Sequence, residues 1–131
     1  MILETILTGV KAWFDNSDLP ALTAGLFYGS ADRDTVAPYV VYNLIDGRAD
    51  DDMSSYVQDV LLQFSVWSEE ASPTEATRIG EHLALWFDDA KITVEGGTCY
   101  RCDRESYNLI ADPDATGWQY QVDYRLMVQE V

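Results

Sequence analysis

The chain is short of the groups that make and break bonds. It holds one histidine and two cysteines in 131 residues. His82, between Glu81 and Leu83 and off the apolar stripe of its segment, reads as a partly exposed helix residue, and no Gly-x-Ser-x-Gly elbow supplies a nucleophile. Cys99-Tyr100-Arg101-Cys102 has the spacing of redox and zinc motifs. A redox pair opens a helix, however, whereas this pair falls in an expected strand, where residues three apart point to opposite faces. A zinc site also needs about four ligands, and no second cysteine pair exists. Packing is therefore the reading for both thiols.

Other absences narrow the field further. The glycines are scattered, and Gly96-Gly97 belongs to no Walker A or dinucleotide fingerprint. Asp50, Asp51 and Asp52 are consecutive, without the alternating ligands and bidentate glutamate of a calcium loop, so they read as a solvated charge run. No metal, cofactor or catalytic residue is expected. Basic residues number 8 against 23 acidic ones, a net charge of −15 that excludes a broad phosphate-binding surface. No apolar run approaches the length of a membrane span, roughly 20 residues. Met1-Ile2-Leu3-Glu4 lacks a basic region, so neither a secretion signal nor a membrane anchor is expected there. Synthesis in the cytoplasm, with reduced thiols, is the expectation.

What the chain does have is patterned apolar content, 47% of it, enough for a single domain over residues 1–131. The stretch from Tyr56 to Phe87 is its centre. Val60, Leu62, Phe64 and Val66 alternate onto one strand face, leaving Asp59, Leu61, Gln63, Ser65 and Trp67 on the other. Ser72, Pro73 and Glu75 then form a helix-start signal, with Ser72 as N-cap and Glu75 reaching back to it. Ala76, Ile79, Gly80, Leu83, Trp86 and Phe87 follow at helical spacing, and this stripe fits the strand's apolar face.

Upstream, Ile2, Leu3, Ile6, Leu7, Val10, Trp13 and Phe14 predict an amphipathic helix. A helical turn at residues 19–25, a short strand Leu26-Phe27-Tyr28, and an apolar strand from Tyr39 to Ile45 come next, with an acidic mobile loop expected over residues 46–55. Short strands flank Glu95-Gly96-Gly97. Thr98–Ile110 and Trp118–Val128 predict a hairpin, the second arm setting Trp118, Tyr120, Val122, Tyr124, Leu126 and Val128 on one face. The predicted class is α+β, a mainly antiparallel sheet of about five strands with two amphipathic helices packed on one face. Aromatics are abundant, and Trp67 and Trp118 are the candidates for a subunit or partner interface.

The order of these elements, with Pro38-Tyr39-Val40-Val41-Tyr42, Val60-Leu61-Leu62-Gln63-Phe64-Ser65-Val66-Trp67-Ser68 and Pro73-Thr74-Glu75-Ala76, resembles the tail completion or tail terminator proteins of long-tailed bacteriophages and prophages. The resemblance implies a structural protein of the head-proximal end of the virion tail, made in the bacterial host and active in virion assembly. It implies a homo-oligomer, a hexameric ring that caps the tail tube, ends tube polymerisation and provides the head-joining surface. Its implied partners are copies of itself, the major tail tube protein and a head-completion or connector protein. DNA would pass through without specific binding, and Asp50, Asp51 and Asp52 would line the channel. Two alternatives are a head-side neck or connector completion protein and an acidic DNA-mimic inhibitor, whose surface charges should be paired at regular spacing.

Overall fold

The computed structural model describes residues 2–51, 56–113 and 115–130. In chain order the elements are α1 (Ile2–Asp15), α2 (Leu19–Leu22), β1 (Leu26–Tyr28), β2 (Tyr39–Asp51), β3 (Tyr56–Ser68), α3 (Thr74–Phe87), β4 (Thr93–Val94), β5 (Gly97–Ala111) and β6 (Trp118–Glu130). The strands form one six-stranded sheet in the order β1-β2-β3-β6-β5-β4. All neighbours are antiparallel except β1 and β2, which run parallel. The predicted α+β class holds, with one strand more than expected and one parallel pair.

The period-two patterns set the core. Val60, Leu62, Phe64 and Val66 of β3 and Tyr120, Val122, Tyr124, Leu126 and Val128 of β6 are all buried. Onto this face α3 lays Ala76, Ile79, Gly80, Leu83 and Phe87, and α1 adds Ile6, Val10 and Phe14. Burial of these side chains, each contributing about 1.5–3 kcal/mol, is the main force holding helices to sheet. Phe64 is the hub: its ring lies 4.9 Å from Phe87, 5.9 Å from Tyr124 and 6.1 Å from Tyr42. Gly80 lets α3 lie close against the sheet. A Cβ there would stand 2.6 Å from the Tyr120 ring, so a larger residue fits only if the ring or the helix shifts.

Polar links fix the helices to one another and to the sheet. Trp13 Nε1 donates to the Trp86 carbonyl (2.7 Å), Trp86 Nε1 donates to Asp18 (2.8 Å), and the Tyr42 hydroxyl donates to the Leu7 carbonyl (3.1 Å). His82 Nδ1 lies 3.2 Å from the same Asp18 carboxylate, with its side chain 30% exposed.

Three local expectations are corrected. Residues 46–51 continue β2, pairing with β3 as far as Asp51 opposite Tyr56. A bulge between Leu44 and Asp46 shifts the register there, and the exposed edge lets Asp46 and Arg48 stand in water while their backbone pairs on one side. At the start of α3, Ser72 accepts from the Thr74 amide (3.3 Å), but Glu75 receives the Ser68 hydroxyl (2.8 Å) in place of a bond back to Ser72. The carboxylate thus ties the helix to the end of β3. Finally, Cys99 and Cys102 both point into the core, because a bulge between Cys99 and Arg101 inserts a residue and reverses the alternation.

Candidate assembly surface

The helix-free face of the sheet is built from the other half of each alternation: Tyr39, Val41 and Asn43 of β2, Gln63, Ser65 and Trp67 of β3, and Gln119, Gln121, Asp123 and Arg125 of β6. Its middle is tied together by directional bonds. Gln63 donates to Asp123 (3.1 Å), which also accepts from the Ser106 hydroxyl (3.2 Å). Beside it the Arg125 guanidinium donates to Asp59 and to Glu105, each at 2.6 Å. Those bonds, to Glu105 first and Asp59 second, push the Arg125 pKa above its ordinary value, so the cation is permanent. The row crosses β3, β6 and β5, one cation among three carboxylates, and each of these side chains has a hydrogen-bond partner within it.

The open features lie at one end. Trp67 sits opposite Tyr39 on β2 and Gln119 on β6. Two adjoining concavities share Trp67 and Tyr39: one of about 380 Å³ reaches to Gly29, Ser30 and Ala31, the other of about 450 Å³ to Glu69, Asp112, Ala115 and Thr116. Trp67 is half-buried between them. Trp118 is at the same end but on the helix-covered face, packed against the core with its Nε1 donating to the Ala71 carbonyl (2.9 Å). The two tryptophans therefore serve different sides of the sheet. Of the three consecutive aspartates, Asp50 and Asp51 fall in β2, while Asp52 and the side chains of Asp50 and Asp51 lie outside the described residues.

Sequence reading missed a further set of exposed apolar residues at the sheet's margins: Tyr28 (51% exposed), Tyr107 (62%), Leu109 (42%) and Ile110 (39%). One signal was available. The first half of β5 carries Arg101, Asp103, Arg104 and Glu105, whereas residues 106–111 carry no charge.

Burial pushes both cysteine thiols above their ordinary pKa, which keeps them protonated and unreactive. Among the described residues no group of three or more His, Cys, Asp or Glu side chains is placed to hold a metal ion. No helix among them is long and apolar enough to cross a membrane.

Residues 11–129 match the family model described as Tail completion protein gp17. The chain belongs to that family. It is accordingly a structural component of a virion tail, as the resemblance of its element order implied. A solved chain described as "Virion of native gene transfer agent (GTA) particle" shares the fold, with a TM-score of 0.80 and 14% identity, covering 98% of this chain and 97% of that one. No curated protein matches the sequence.

Proposed function

We propose that this tail completion protein assembles as a ring, hexameric in the finished particle, that seats on the last layer of the tail tube, stops its growth and offers the opposite face to the head. The observation carrying this reading is a sheet covered by helices on one side only, in a chain whose family completes tails. A rigid two-faced subunit can meet its neighbours through the sheet while its loops meet the tube and the head-completion or connector protein. Trp67, between two concavities, is the anchor for a partner, and Trp118 ties Ala71, in the segment between β3 and α3, at the same end of the sheet.

In this reading Asp50, Asp51 and Asp52 face the channel. Their charge repels phosphate and lets DNA slide without sticking. The test is mass in solution with negative-stain images, alone and after adding purified tube protein. An annulus that binds the tube end and halts its elongation supports the proposal. Binding to portal and adaptor but not to tube would move the protein to the head side of the joint, and a monomer beside growing tubes would end the ring reading.

A further inference from the structure

Each margin of the sheet is covered for only part of its length, and the two bare parts lie at opposite ends. Along β2, β1 pairs with Val40, Val41 and Tyr42, and the Leu44 amide donates to the Tyr28 hydroxyl (3.4 Å). Past that point no strand among the described residues lies outside β2, and residues 45–48 are all exposed. Along β5, β4 pairs with Gly97 and Thr98, and the Asp89 amide donates to the Cys102 carbonyl. Past Cys102 no strand among the described residues lies outside β5, and residues 104–111 are all exposed.

The bare parts offer matching backbone groups. Val40 donates to the Gly25 carbonyl and Leu44 to the Tyr28 hydroxyl, so the residues of β2 on the helix-covered face turn their amides and carbonyls outward. Gly47, opposite Val60, is the next of that row after the bulge, and a Cβ on it would lie 3.8 Å from a Val60 methyl on the same face. On β5 the Asp112 amide donates to the Gly117 carbonyl, so Asn108 and Ile110 face β6. Tyr107 and Leu109, opposite Val122 and Tyr120 on the helix-covered face, therefore direct their backbone groups outward. Strand direction reverses from β2 to β3, again to β6 and again to β5, so the two bare edges run in the opposite senses that antiparallel pairing needs.

Size and charge match one edge to the other and point to a second copy as the occupant. On the helix-covered face the bare part of β5 carries bulk, with Tyr107 62% and Leu109 42% exposed, where β2 supplies the small Gly47 and Ala49. On the other face β2 carries Asp46 and Arg48, both exposed. Residues 106–111 hold no charge in a chain of net charge −15, so Ile110 and Asn108 can stand opposite Asp46 and Arg48 without setting like charges against each other. Edges that stay unpaired are commonly guarded by charge, and this stretch of β5 has no such guard.

We infer that residues 106–110 of β5 in one copy pair antiparallel with residues 46–50 of β2 in the next, with Leu109 opposite Gly47 and Tyr107 opposite Ala49. The stagger suits a closed ring. Followed across the sheet, the row of Leu109 reaches β3 at Val66 and the row of Gly47 reaches it at Val60, six residues away. That is about 20 Å along the strands for about 19 Å across β2, β3, β6 and β5, so the strands lean about 45° from the ring axis, the tilt at which β-barrels close. The contact uses two different patches and is head-to-tail, the kind that generates rings. This rests on the ring reading above and specifies its joint.

The experiment is oxidative cross-linking of the full chain carrying Arg48→Cys and Asn108→Cys, read on non-reducing gels, with native mass recorded in parallel, alone and with tube protein. The wild type, whose two thiols are buried, is the blank. In this register residues 48 and 108 form a non-hydrogen-bonded pair with Cα atoms about 4.5 Å apart, within disulfide reach. A ladder of linked chains from the double variant, and none from either single variant, is the expected result. Linked dimers from one single variant would mean a two-fold contact and overturn the inference. An assembled ring without cross-links would overturn it and leave the ring reading standing, whereas a chain that stays monomeric even with tube protein would remove both. Leu109→Pro supplies a second check, because it removes an outward amide that the joint needs and the pairing with β6 does not. With an unchanged melting temperature it should lose the assembled species, and assembly at wild-type level would overturn the inference.

Discussion

Tyr124 and Arg125 are neighbours in β6 and stand on opposite faces of the same sheet, each held by different chemistry. Tyr124 is fully buried, its ring 5.9 Å from both Phe64 and Phe87, and only its hydroxyl makes a polar contact, to Asp88 at 2.6 Å. Arg125 keeps a side chain 25% exposed and is fixed by two carboxylates from two other strands. The helix side is specified by apolar area, which any well-shaped hydrophobe can supply. The other side is specified by bonds with fixed partners. At the centre of that face the polar side chains bond to one another.

Removing the hub of the apolar side should produce the largest effect. Phe64→Ala deletes a ring in contact with Tyr42, Phe87 and Tyr124, and the cavity should cost about 3–5 kcal/mol, measured as the free energy of urea unfolding. A loss under about 1 kcal/mol would mean that α3 and the sheet are held by something other than this packing.

The opposite face is tested by Arg125→Met, which keeps the aliphatic stem and removes the cation. Asp59, with only 16% of its side chain exposed, then loses its charge-assisted bond to Arg125, the cation it shares with Glu105, and we expect a loss of about 2 kcal/mol. Adding Asp59→Asn and Glu105→Gln should restore part of it. A cost below about 0.5 kcal/mol would place the row among ordinary surface pairs and erase the distinction between the faces.

How much of this was legible follows the same division. The alternation in β3 and β6 and the helical stripe from Ala76 to Phe87 announce the covered face, because burial leaves a period in the sequence. The bulges after Leu44, Cys99 and Arg104 leave no such mark. Each reverses the facing of everything beyond it, which is why both cysteines share a face that simple alternation denies them. Nor does sequence announce that Asp123 bridges Gln63 and Ser106, since partners 60 and 17 residues away are joined only by the strand order. Trp67 was legible as a residue on the open face, but the concavities beside it depend on loops that pattern alone does not place.

The smallest effect comes from the single polar atom of the covered face's central tyrosine. Burial, and next the bond to Asp88, hold the Tyr124 pKa above its ordinary value of 10.0, and burial likewise raises Tyr42, Tyr120 and both cysteines. For each, the folded state keeps its proton longer than the unfolded chain. The stability they contribute is therefore complete below the ordinary cysteine value of 9.0 and is lost as pH rises past it and past 10.0 toward the folded values. Tyr124→Phe should cost about 1 kcal/mol near neutrality through the lost hydroxyl bond. Above about pH 10 its stability should fall less steeply than that of the wild type, so the two curves converge. Urea unfolding at neutral and alkaline pH decides the point: parallel curves would show that the phenol, though enclosed by Phe64 and Phe87, is as free to ionise in the folded protein as in the unfolded chain.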